Sequence, residues 1–274
     1  MERLWIKNRW SNRVQIMLVS LVSAIFAFTL LRLLSELTLL YFSYDLNIQA
    51  ILHLKGIDFL TKTTSPDWTR DSVITIYLSK PIMNLMLALS GMVVYSLIRR
   101  KSQSFTYFLI WLIIFALNNA FGTFAENGLF KTGTYEVTQL MHFGGVMMMV
   151  VVMISFYFLY LSGVGIGKLI LLNLPEEFIK NNRINFFYFL MAYLIPWLLT
   201  FLIIFSRSDP GSRIVYLFSI IILAPVMWSH SPVTEGVHQE PLPPLIWIDF
   251  LSFIFYFAGI FLMYTMLSTG IKIN

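Results

Sequence analysis

Seven apolar runs of about 17 residues or more, near 14–42, 73–98, 105–125, 137–161, 185–205, 213–228 and 245–268, leave this chain few choices of fold. Each is long enough to cross a hydrocarbon core of about 30 Å, where a backbone must satisfy its own N–H and C=O groups, as a helix does. The expectation is an all-α, multi-pass transmembrane helical bundle of about seven spans, with six to eight admissible, forming one domain over 1–274. Only 12% of the residues are charged, against about 25% in a soluble domain. The longest connection, about 30 residues, is too short for an ordinary soluble domain, so function is expected within the membrane or at its surface. Without cysteine, disulfides, thiol nucleophiles and cysteine metal ligands are excluded.

The net charge of +5 sits at run ends, which is a topology signal rather than a nucleic-acid footprint, and no nucleic-acid partner is expected. With a cytoplasmic N-terminus, ten Lys and Arg fall inside, among them the Arg99-Arg100-Lys101 cluster, and seven outside. The excess favours that orientation. The charged N-terminus looks like a signal-peptide head, but a longer apolar run follows without a small-x-small cleavage pattern, so it reads as a retained first span. A bacterial cytoplasmic membrane is the simplest location. The run 14–42 exceeds one perpendicular helix and must tilt, emerge or break near Arg32. The sixth run is short and carries Pro225, and the loop 229–244 beside it has no Lys or Arg, which fits the count poorly. Segment 43–72 is partly amphipathic and reads as an interfacial helix, with a surface cover over a cavity as the alternative.

Ionisable residues within spans are costly and mark candidate sites. Arg32 and Glu36, four apart, share a helix face and can neutralise each other. Counting about 1.5 Å per residue, Arg32 lies near the outer headgroups and Lys80 about 10 Å in, with Asn84 one turn deeper. Asn118, Asn119 and Glu126 climb toward the same side, where His142 opens the fourth span. The polar set Arg32, Glu36, Lys80, Asn84, Asn118, Asn119, Glu126 and His142 thus converges on the outer half of the first four spans. Two readings stand: headgroup snorkelling with interhelical hydrogen bonds, or a binding or transport cavity. Asp249, five residues after Pro244, suits the first turn of the last helix, where it complements the helix dipole.

Other motifs carry less. Gly163-Val-Gly-Ile-Gly167-Lys168 fits neither phosphate-loop fingerprint, and its glycines read as close-packing or chain-reversal positions. His230, Glu235, His238 and Glu240 share one loop but lack a known metal spacing. The run Met147–Met153 spreads around a helix, as packing or lipid-facing surface does, and Pro196 and Pro225 predict kinks. No metal and no cofactor is assigned.

Over roughly residues 30–125 the chain resembles site-2-protease-like intramembrane metalloproteases. Leu-Leu-Ser35-Glu36-Leu37-Thr38-Leu39 is similar to the H-E-x-x-H motif with its glutamate kept and both histidines lost. Ser79-Lys80-Pro81-Ile82-Met83-Asn84 is similar to the small-Gly-Pro-x-x-Asn motif with Lys80 in place of glycine, and Asn118-Asn119 stands for the third segment without its Asp-Gly. The resemblance implies a relative that has lost its zinc, and with it the activated water for peptide hydrolysis, while keeping a binding bundle.

With no complete catalytic constellation, the first expectation is a non-enzymatic integral membrane protein, a subunit or binding component of a membrane complex with a protein partner in the bilayer. The alternative is a small solute or ion transporter using the polar set, and an enzyme based on Glu36 or Glu126 as general base comes third.

Overall fold

The computed structural model describes residues 2–53, 56–62, 65–98, 102–131, 137, 140–142, 144–171, 174, 178–205, 210–230 and 247–272; within helices, side chains are described from Val14 in the first and from Leu251 in the last. Among these residues the helices are α1 (Glu2–Asp45), α2 (Arg70–Ile98), α3 (Gln103–Phe130), α4 (Gly145–Leu171), α5, α6 (Pro210–Trp228) and α7 (Trp247–Thr269). Helix α5 is continuous through Phe186–Phe189, a π-helical turn at Leu190–Leu194, and Ile195–Phe205. Six are long and apolar enough to cross a membrane, and the seventh, α6, is the shorter apolar helix Arg213–Trp228. The chain is an all-α multi-pass helical bundle, and its weakest span is the one the sequence marks as short.

Two small sheets fix the direction of the traverses. Strands β1 (Ala50–His53) and β2 (Gly56–Phe59) form a hairpin after α1, and β5 (Ile271–Lys272) pairs with β1 after α7. The ends of the first and last helices therefore share one face, here the C-face. At the other, the N-face, strands β3 (Ile179–Lys180) and β4 (Arg183–Ile184) form a second hairpin, and Arg183 bridges to His230 beyond α6. The segment 178–185 and residues 229–230 thus lie on the same face.

Two expectations are corrected and one is narrowed. Residues 50–59 form a hairpin rather than an interfacial helix: Ala50 and Leu52 are buried and His53 is exposed, a period of two, and Gly56 at φ 143° opens the return strand. The fourth span is Gly145–Leu171 rather than 137–161, so His142 lies in the turn before it and Gly163 and Gly167 lie within it. The first helix does not break near Arg32; its 44 residues run about 66 Å, far more than a bilayer core needs, so it extends beyond one.

Helix α3 is the axis, buried along most of its length, with α1, α2, α4 and α6 around it. Toward the N-face the packing is aromatic. Trp111 stacks on Phe115 and touches Tyr193, and Phe26 stacks on Tyr256 with ring centroids 4.5 Å apart. Pro196 has no N–H for the carbonyl of Ala192, one turn back. The hydroxyl of Ser20 on α1 donates to that carbonyl instead, and the Trp111 indole donates to Ser20 Oγ at 2.8 Å. The π turn just before Pro196, where the Ile195 N–H reaches the Leu190 carbonyl, is the local widening that accommodates the proline.

Glycines set the helix approaches. A Cβ at Gly163 would collide with the Ile222 carbonyl, and one at Gly167 with the Ser229 side chain, so α4 and α6 run side by side in backbone contact. That is the close-packing role the sequence suggests. In the methionine run, Met148 is buried while Met147, Met149 and Met153 face outward.

Candidate functional site

The C-face half of the bundle holds a cavity of about 420 Å³ between α1, α2, α3 and α6. Helix α1 supplies Phe28, Arg32, Ser35, Glu36 and Leu39 at intervals of three and four, one face of a helix. Helix α2 adds Ile76, Tyr77, Lys80 and Pro81, and α3 adds Asn119, Thr123, Glu126 and Asn127 with the same periodicity. The first residues of α6, with Gly211 and Val215, close the remaining side. Phe28 belongs also to the aromatic core, edge-on to Phe115 and Tyr216. It forms the floor where the polar half gives way to the packed one.

The charge pairing differs from the sequence expectation. Glu36 pairs across the helix interface with Lys80, Nζ to Oε1 at 2.6 Å, rather than with Arg32 one turn earlier. The Glu36 side chain is only 10% exposed and the Lys80 side chain 30%. A four-carbon stem lets Lys80 cross from α2 and deliver its charge into that buried position. Arg32 is half-buried, lines the cavity, and has no hydrogen bond or ion pair among the described residues.

Two of the expected asparagines stand behind the wall. Asn84 is fully buried: its Oδ1 accepts from Ser35 Oγ at 2.8 Å, and its Nδ2 donates to the Lys80 carbonyl at 2.9 Å. It therefore ties the Ser35 turn of α1 to the Lys80 turn of α2, holding the two sides of the ion pair in register. Asn118 donates through Nδ2 to the Val215 carbonyl at 2.7 Å, linking α3 to α6, while its Oδ1 has no partner among the described residues. His142 is exposed in a left-handed turn at φ 59° and does not line the cavity. The span that completes the site is α6, not the fourth.

Of the eight expected residues, Arg32, Glu36, Lys80, Asn119 and Glu126 meet in the cavity, Asn84 and Asn118 support it, and His142 lies apart. Sequence reasoning passed over Thr123 and Asn127, which continue the face begun by Asn119 and Glu126 at helical spacing, and Tyr77, one turn before Lys80 and Pro81. That periodicity was the available signal. Gly211 and Val215 gave none, because uncharged small residues at a helix start do not stand out.

Ser35, Leu39, Lys80, Pro81 and Asn119 all line this cavity, and Ser35 is bonded to Asn84 behind it. Among the described residues no group of three or more His, Asp or Glu could hold a metal ion. Of the loop considered for a metal, His230 instead accepts from Arg183, and Glu235, His238 and Glu240 lie outside the described residues. Asp249 falls in the first turn of α7. The site is a polar, mixed-charge cavity beside one ion pair, with a second cation facing the same space. No family model matches this chain, and no curated protein or solved structure matches it.

Proposed function

We propose that this protein is a non-enzymatic, membrane-embedded binding component that holds a small anionic or zwitterionic group in its C-face cavity, and that it serves as a subunit of a larger membrane complex. The observation that carries the reading is Arg32. A guanidinium stays charged at any accessible pH, and a cation inside a span needs a partner or a wet cavity. Glu36 is committed to Lys80, so a carboxylate or phosphate on a ligand supplies what Arg32 lacks, with two parallel N–H donors to offer. Asn119 and Thr123 on the opposite wall provide neutral hydrogen-bonding groups for the rest of the ligand. In this proposal the membrane is a bacterial cytoplasmic membrane with the N-face inside, as the Lys and Arg distribution suggests.

The test is thermal unfolding of the detergent-extracted full chain with glutamate, citrate or inorganic phosphate, alongside native mass analysis for a co-purifying protein. A ligand at 100 times its Kd stabilises by about 2.7 kcal/mol. The expected result is stabilisation by at least one of these anions that Arg32→Gln abolishes. Stabilisation that survives Arg32→Gln, or none with any of the three, overturns the ligand reading, and the absence of a stoichiometric partner overturns the subunit reading.

Solute or ion transport is the second reading, favoured by one observation: the cavity lies wholly in one half of the bundle and is lined by Pro81, a proline inside α2. Flux in proteoliposomes that Lys80→Met removes without loss of folding would favour it over a static binding role.

A further inference from the structure

The N-face carries a second concavity, about 780 Å³, unconnected with the polar set in the C-face half. Its cations are Lys180 and Arg183, and its flanks include Phe186, Phe187 and Trp228, each more than half exposed. The hairpin between β3 and β4 makes this arrangement. Asn181 and Asn182 both adopt left-handed backbone, at φ 53° and 58°, the two-residue turn whose twist matches that of the flanking strands. That turn sets Lys180 directly opposite Arg183.

Like charges facing each other across a strand pair destabilise it. Among the described residues no acidic side chain lines the concavity, and Lys180 has no ion-pair partner. Arg183 donates through Nε to His230 Nε2 at 2.9 Å. That bond fixes the guanidinium plane and leaves the two terminal nitrogens, the pair suited to a phosphate, without a partner among the described residues. The aromatic residues lie at the start of α5 and the end of α6, the level at which a span meets the headgroups.

We propose that this concavity is a binding site for the phosphate of an anionic phospholipid, with Lys180 and Arg183 on the phosphate and Phe186, Phe187 and Trp228 alongside the glycerol and upper acyl chains. The exposed aromatic wall favours a lipid over a soluble phosphate: it offers apolar surface continuous with the lipid-facing side of two spans, for which inorganic phosphate has no use.

The experiment is native mass spectrometry of the delipidated full chain titrated with phosphatidylglycerol, phosphatidylcholine or inorganic phosphate. The wild type is compared with Lys180→Gln/Arg183→Gln and, as a charge-matched control at the C-face, Lys62→Gln/Arg70→Gln. The first phosphatidylglycerol is expected to bind at least fivefold more tightly than phosphatidylcholine. Removing Lys180 and Arg183 is expected to cost about fivefold per charge, and the control pair less than twofold. Arg183→Lys, which keeps the charge but loses the fork, should fall between wild type and the double variant. Thermal unfolding within a few degrees of wild type shows that each variant is folded. Equal affinity for the two lipids, an equal loss in the control pair, or displacement of phosphatidylglycerol by equimolar inorganic phosphate would overturn the assignment.

Discussion

Toward the N-face, α1, α3 and α5 close on one another through Trp111, Tyr193 and Phe115, and a chain of donors from Trp111 to Ser20 to the Ala192 carbonyl joins the three helices. Toward the C-face, the same α1 and α3 stand apart around Arg32, Glu36, Asn119 and Glu126, with Lys80 reaching in from α2. One pair of helices thus builds a filled core at one end and a polar cavity at the other. In lipid there is little hydrophobic force between helices, so shape and hydrogen bonding decide whether they close. The aromatic end has flat rings that fill space and hydroxyls whose acceptors lie on neighbouring helices, such as the Tyr107–Tyr188 contact at 2.6 Å. The polar end instead gathers charged side chains, Arg32, Glu36, Lys80 and Glu126, around one cavity.

If that division holds, substitutions at the two ends should differ in what they damage. The largest loss is expected from Trp111→Ala, which empties a fully buried site and removes the Ser20 bond. It should cost about 3–5 kcal/mol, read as the thermal unfolding midpoint in detergent. A cost like that of Asn119→Ala in the cavity, expected within about 0.5 kcal/mol, would break the comparison.

Gly167→Val comes next, because the added side chain meets Ser229 and the α6 backbone. A loss of about 1–3 kcal/mol is expected, whereas the same change at Gly165, which has open space around it, should be nearly silent.

Lys80→Met leaves Glu36 buried without its cation and should destabilise by about 1–2 kcal/mol, less than a fully buried pair because Lys80 is partly exposed. Glu36→Gln in the same chain should recover most of that loss, and a double-mutant cycle with no coupling would show that the pair contributes nothing to folding.

Arg32→Gln is expected to leave the midpoint within about 0.5 kcal/mol and to act only on ligand binding. A large loss of stability would place Arg32 with the structural residues instead.

The sequence already points to much of this. Run length and apolarity identify the spans, and the ionisable residues within them locate the C-face cavity through helical rise alone. What escaped has physical reasons. The partner of Glu36 depended on an interhelical distance, and intrahelical spacing favoured Arg32. The fourth span begins later than its apolarity suggests because 137–144 are apolar enough to pass for membrane while Gly144 and the turn at His142 precede the helix. The hairpin at 50–59 was hidden because a short apolar run supports both helical and strand periods, and the pairing of β1 with β5 brings together residues from opposite ends of the sequence. The participation of α6 followed from Gly122, which lets α3 approach Val215 and Phe218.

The strand that follows the last helix clasps the first and last helices at the C-face. Ile51 and Leu52 present one edge of β1 to Ile271 and Lys272, while β2 pairs along the other edge. An open strand edge pairs readily with whatever is nearby. Covering it with β5 joins by backbone hydrogen bonds two helices, α1 and α7, that otherwise meet only through side-chain packing.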